Sequence, residues 1–111
     1  MLIINFKTYK QGNQLIKLVK TIKQVNKNII IATQPTDIYK IKKATNLKIY
    51  SQHTDPYKLG RHTGFILPEA IKEAGAVGTL LNHSEHKLTF SILKQTIQRC
   101  KKLKLKTIVF A

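Results

Sequence analysis

The sequence predicts an α/β fold in which short parallel strands alternate with covering helices, about four βα units followed by a fifth strand. Three observations carry that expectation. Apolar, β-branched runs recur near residues 2–6, 29–32, 47–51, 77–81 and 107–111. The segments between them mostly repeat their apolar residues at the helical period rather than the strand period. Right-handed crossovers then leave two arrangements, a doubly wound sheet or part of a (β/α)8 barrel. At 111 residues the chain can fill one modest core, so residues 1–111 are expected to form one partial domain. It ends on an apolar strand with no covering helix after it, which is expected to mark an incomplete unit.

Taken in order, Leu2 to Phe6 reads as a short buried strand. An amphipathic helix is expected from about Asn13 to Asn26, with Leu15, Leu18, Val19, Ile22 and Val25 on one face and Lys17, Lys20, Lys23 and Lys27 on the other. Asn28 ends it and Ile29 to Ala32 forms the second strand. Thr36 is placed to cap a short helix carrying Ile38, Ile41 and Ala44. Leu47 to Ser51 is the third strand, followed by an irregular stretch over 52–67, long enough to be functional or interface-forming. Pro68 opens a helix at its favoured first position, Glu69 suits the dipole there, and Gly75 closes it. Val77 to Leu81 is the fourth strand. Thr89 caps a last helix with the stripe Phe90, Leu93, Ile97 and Cys100, and Thr107 to Ala111 is the fifth strand.

Composition removes several function classes. No apolar run approaches the ~18–20 residues of a membrane span, and the start has neither the basic n-region nor the apolar length of a signal peptide. The lone Cys100 excludes an internal disulfide and fits a reducing, cytoplasmic setting, where it serves as core packing. Twenty Lys and Arg against five Asp and Glu give a formal charge of +15. Only Arg61 and Arg99 are arginine, the residue that phosphate and base forks favour, and the lysines are spread over every helix. Weak, salt-sensitive sticking to polyanions is therefore expected, and specific nucleic-acid recognition is not.

Two strand ends carry chemistry. Asn5-Phe6-Lys7 puts Asn5 and Lys7 on one side and Phe6 on the other; at a barrel mouth that Lys can hold a phosphate or stabilise an oxyanion, while the tripeptide read alone is more often simply the soluble end of a strand. Val77 to Leu81 stops abruptly in Asn82-His83-Ser84-Glu85-His86. His83 there suits a general acid or base, a metal ligand or a capping group. A following helical turn would keep it neutral, and Glu85 could pair with Lys7. His83 and His86 could instead share a metal with His53 or His62, but no HExxH or cysteine pair supports this.

Asn5-Phe6-Lys7, Thr63-Gly64 in the long third loop and Asn82-His83-Ser84-Glu85 after the fourth strand together resemble triosephosphate isomerase. So do Gln52-His53-Thr54-Asp55-Pro56, Gly64 to Ala70, and Lys72 to Leu81, which are similar to the short archaeal branch of that family. The likeness runs in order along essentially the whole chain. It implies the amino-terminal half of a (β/α)8 TIM barrel and an enzyme interconverting dihydroxyacetone phosphate and glyceraldehyde 3-phosphate, a step of glycolysis and gluconeogenesis, with no metal or organic cofactor. Asn5 and Lys7 would bind substrate, with Lys7 near the phosphate and the developing enediolate. His83 would be the electrophile that polarises the carbonyl and shuttles a proton, Glu85 would hold Lys7, and Ser84 would support the loop. The loop of Thr63 and Gly64 would reach into a neighbouring subunit of a homodimer or homotetramer. The family's catalytic base is a glutamate after the sixth strand, absent from these residues, and the lid and later phosphate-binding loops are absent with it. His86 and Lys87 also stand where family members often carry arginine. The 111 residues are thus expected to be inactive alone. Two other readings remain: a half-barrel subunit completed by another chain or by its own copy, and a basic binding module without chemistry.

Overall fold

The computed structural model describes residues 1–111 throughout. Five strands form one parallel sheet: β1 (Leu2–Asn5), β2 (Ile29–Thr33), β3 (Lys48–Ser51), β4 (Gly78–Leu81) and β5 (Lys106–Val109). Between them lie α1 (Gly12–Val25), α2 (Pro35–Thr45), α3 (Pro68–Ala74) and α4 (Phe90–Lys102). The spatial order β1-β2-β3-β4-β5 is the chain order. A doubly wound sheet reverses direction at a switch point; this one never does, so successive right-handed crossovers place every helix on the same face. The sheet is therefore an arc of a (β/α)8 barrel.

Strand alternation sorts the core into two layers. Ile29 and Ile31 of β2 and Ile49 of β3 face the helices, where Leu15, Val19, Ile38, Ile41, Ile71 and Cys100 close over them in the larger apolar cluster. Ile30 and Ala32 of β2, Tyr50 of β3 and Leu80 of β4 form a smaller cluster on the inner face, with Ile3, Ile108 and Phe110 against it. Register is unbroken along this arc, with Ile4 beside Ile31, Ile31 beside Ile49 and Leu80 beside Ile108.

Several local expectations need correction. Gln34 is the N-cap of α2 and Pro35 its first residue, so Thr36 lies inside the first turn instead of capping it; the fixed φ of proline starts the helix earlier than the hydroxyl would. On α2 it is Thr45 that is buried, its Oγ1 donating to the Ile41 carbonyl at 2.8 Å, while Ala44 is exposed. Leu15 and Val19 of α1 are fully buried, but Leu18 and Val25 are exposed and Ile16 packs in their place. Phe90 is 81% exposed because it is the first residue of α4, beyond the reach of the sheet, and Thr96 fills the buried face with Cys100. The fifth strand begins one residue earlier than its apolar run and ends at Val109, although the Phe110 N–H still donates to the Leu81 carbonyl. Pro68, Gly75 and Thr89 do mark helix ends as read: Pro68 opens α3, Gly75 is left-handed at φ 115°, and Thr89 Oγ1 accepts from Ile92 N–H.

The long stretch 52–67 has no regular element, yet it is tied at its base. The Asp55 N–H donates to the Ile66 carbonyl, and Asp55 Oδ2 accepts from the Ile66 N–H at 2.7 Å. Within it Tyr57 stacks on His62 and meets Phe65 edge-on. Arg99 of α4 reaches under the loop, donating to the carbonyls of Pro56 and Tyr57 at 3.2 Å each and to Glu69 Oε1 of α3. That guanidinium also holds the Glu69 carboxyl below its ordinary range.

Candidate active site

A cleft of about 520 Å³ opens at the carboxyl ends of the strands, the ligand-facing end of such sheets. Asn5, the last residue of β1, and Lys7 just beyond it line one side. His83, Glu85 and His86, from the turn after β4, line the other. Gln52 and His53 follow β3 and also line the cleft. Phe6 turns away into the helix-facing core, as strand alternation requires of the residue between Asn5 and Lys7.

Lys7 crosses the cleft to Glu85: Nζ lies 2.9 Å from Oε1. The carboxylate's hydrogen bond and charge raise the lysine pKa, and the lysine lowers that of Glu85. Both side chains are solvent-exposed, so the pair orients the ammonium more than it stabilises the fold. Lys7 itself is in the left-handed region, φ 50°, which L side chains adopt uncommonly.

His83 is followed by a tight turn, not by a helix; the His86 N–H donates to the His83 carbonyl at 2.8 Å. The Glu85 backbone N–H donates to His83 Nδ1 at 3.1 Å. Glu85 Oε2 is 3.5 Å from the same nitrogen, but the closer N–H decides its role as an acceptor. In the neutral ring the proton is then on Nε2, which makes the imidazole a hydrogen-bond donor through that atom. Phe110 meets the ring edge-on. Asn82, left-handed at φ 59°, clamps the turn by donating to the Phe110 carbonyl and accepting from the Leu88 N–H, each at 2.9 Å. Ser84 is exposed within this turn, whose fixing contacts come from its neighbours.

On the sequence, His83 and His86 could share a metal with His53 or His62. The structure gives His53 and His86 a different geometry: their rings stack at 3.9 Å, and His53 Nε2 lies 2.9 Å from Asp55 Oδ1. His62 is instead stacked on Tyr57 in the long loop. No three His, Cys, Asp or Glu side chains gather as a metal-ion cluster. Partial burial and the neighbouring His53 lower the His86 pKa. Thr63 and Gly64 stay at the exposed tip of the loop, outside the cleft.

Gln52 is the member of the site whose role the sequence left unassigned. Its Nε2 donates to the Lys7 carbonyl at 2.7 Å and approaches Asn5 Oδ1 at 3.3 Å. In the sequence it is marked only as a polar residue directly after a strand, at the head of the Gln52 to Pro56 segment that resembles the family, with no role of its own. The cleft thus gathers an ammonium, an imidazole donor and the carboxamides of Asn5, Gln34 and Gln52, a set that can stabilise developing negative charge on a bound oxyanion. It offers no unengaged carboxylate as a base, since Glu85 is taken by Lys7.

The family model described as triosephosphate isomerase matches residues 1–110. A triosephosphate isomerase of Saccharolobus solfataricus is 44% identical over 98% of this chain, and one of Methanobacterium bryantii is 42% identical over 98%. In both cases the match takes in 51% of the relative, so the chain spans about half the length of the curated relatives it matches. Among solved structures, a triosephosphate isomerase from Bartonella henselae superposes with a TM-score of 0.86 over 97% of this chain and 48% of its own; at 19% identity that likeness speaks for the fold alone.

Proposed function

The chain belongs to the triosephosphate isomerase family, and from that premise we propose that residues 1–111 are a partial barrel domain supplying the electrophilic half of an isomerase site. The reaction is the interconversion of dihydroxyacetone phosphate and glyceraldehyde 3-phosphate in glycolysis and gluconeogenesis. The observation that carries the reading is the convergence of Asn5, Lys7 and His83 on one cleft, with Glu85 holding Lys7 at 2.9 Å.

In this reading the Lys7 ammonium and the Asn5 amide bind the substrate oxygens. His83, protonated on Nε2, donates to the carbonyl oxygen as the adjacent carbon loses its proton, so charge develops on an oxygen already facing donors. Its imidazole then moves a proton between the two oxygens of the enediol. The proton from carbon goes to a glutamate that the family resemblance places after the sixth strand, beyond these residues; no organic cofactor or metal is invoked. Glu85, and Ser84 through the turn they share, are supporting residues. The loop of Thr63 and Gly64 serves contact with a second subunit of a cytoplasmic homo-oligomer. The 111 residues alone are inactive, because groups that act as a unit lose nearly everything when one is missing.

The two open sheet edges, β1 and β5, are where the remaining strands of a barrel would pair, whether the same polypeptide or a second one supplies them. Both forms are tested by joining residues 1–110 to the carboxyl-terminal half of the Saccharolobus solfataricus relative and assaying triose phosphate interconversion. Turnover is expected, and His83→Asn is expected to abolish it. A chimera that melts cooperatively yet does not turn over, or one indifferent to His83→Asn, overturns the assignment.

A further inference from the structure

We propose that Gln52 is a positioning residue of the cleft: its side-chain amide holds Lys7 in the left-handed backbone conformation and fixes which end of the Asn5 amide faces the ligand. The proposal rests on the isomerase reading for its functional meaning and on hydrogen-bond geometry for its content.

Lys7 at φ 50° is in a region that its side chain disfavours, so the conformation persists only where its surroundings over-determine it. Both of its backbone polar groups are held by side chains. Its N–H donates to Asn5 Oδ1 at 2.9 Å, and its carbonyl accepts from Gln52 Nε2 at 2.7 Å. Release of the carbonyl frees the peptide following Lys7 to rotate, and the ammonium is then no longer aimed at Glu85.

The same nitrogen sets the orientation of Asn5. Asn5 Oδ1 receives the Lys7 N–H and lies 3.3 Å from Gln52 Nε2. A flip of the Asn5 amide would set its NH2 against both donors, losing two hydrogen bonds at once. The Nδ2 end is therefore left for the ligand, where an enediolate oxygen needs a donor. Gln52 can impose this because it is held at both ends: its backbone N–H donates to the Thr33 carbonyl at 3.0 Å, and its side-chain Nε2 also lies 3.5 Å from the Ala32 carbonyl. One carboxamide thus joins the ends of β1, β2 and β3. Neither length nor polarity is free at this position. Asparagine is one methylene short, and methionine fills the space but leaves the Lys7 carbonyl unpaired.

The test is solution NMR on the 111-residue chain, comparing it with Gln52→Met. The readouts are the Lys7 amide-to-Hα coupling, which reports its φ, and the Glu85 carboxylate titration, which reports the Lys7 contact. In Gln52→Met the coupling is expected to leave its left-handed value, and the Glu85 midpoint to rise toward an ordinary carboxylate. Native values of both in a folded variant overturn the proposal. Should Gln52→Met not fold, Gln52→Asn, which retains a polar amide, is read the same way: displaced signals support the proposal and native ones overturn it. Neither readout depends on turnover. A null result here leaves the isomerase reading standing, whereas an inactive chimera whose Lys7 signals still depend on Gln52 overturns that reading alone.

Discussion

Among single residues, the ionisable groups of the cleft divide by what faces them. Lys7 and Glu85 keep each other charged, whereas His86 is held toward its neutral form by partial burial and by the His53 ring, with Asp55 beyond opposing this. A folded-state pKa below the ordinary 6.5 means that the unfolded chain binds the proton more tightly. This contribution to stability is fully present above pH 6.5 and is lost as the pH falls through the lowered value. His86→Gln is expected to flatten that acid-side loss, seen as a smaller drop in the urea midpoint between pH 7 and pH 5; an unchanged drop would place the effect on another group. The sequence made Asn5, Lys7, His83 and Glu85 visible because each sits at or just past the end of a strand, where a polar side chain interrupts an apolar run. It hid Gln52, whose role depends on a reach across the sheet to residues far earlier in the chain. A glutamine after a strand looks like any other solvated residue.

For the elements, periodicity was sufficient to place five strands and four helices, and it failed where two local rules compete. At Thr36 the hydroxyl cap lost to the proline before it, and at Phe90 the stripe extended one residue beyond what the sheet can cover. Gly78 shows a constraint that periodicity cannot express. A β-carbon there would lie 2.6 Å from the Lys106 carbonyl oxygen and 2.6 Å from the Tyr50 ring. The absent side chain lets the inner-face tyrosine lie flat against β4. Gly78→Ala is expected to destabilise the chain by about 1–3 kcal/mol, the usual range for overpacking, measured as a lower denaturant midpoint with an unchanged slope. A midpoint equal to that of the parent would mean that both the Tyr50 ring and the β5 backbone at Lys106 give way without cost, and would overturn the constraint.

For the whole molecule, the charge of +15 is distributed and not focused. The cleft accounts for only part of it, and its one ammonium–carboxylate pair is matched. Retention on heparin is expected at low ionic strength and to fall steeply as salt rises toward physiological levels. Retention that survives physiological salt, with a preference for length or sequence, would instead support a binding module. The sequential strand order has a further consequence, for how the molecule is made. Each strand pairs with the one synthesised immediately before it, so no pairing has to wait for a distant segment to emerge. Such near-neighbour topology favours rapid folding, and domains assemble from the amino terminus during synthesis. Lys7 and Gln52, carried at the ends of β1 and β3, can therefore meet while the ribosome is still at work, before the turn that carries Glu85 has joined them.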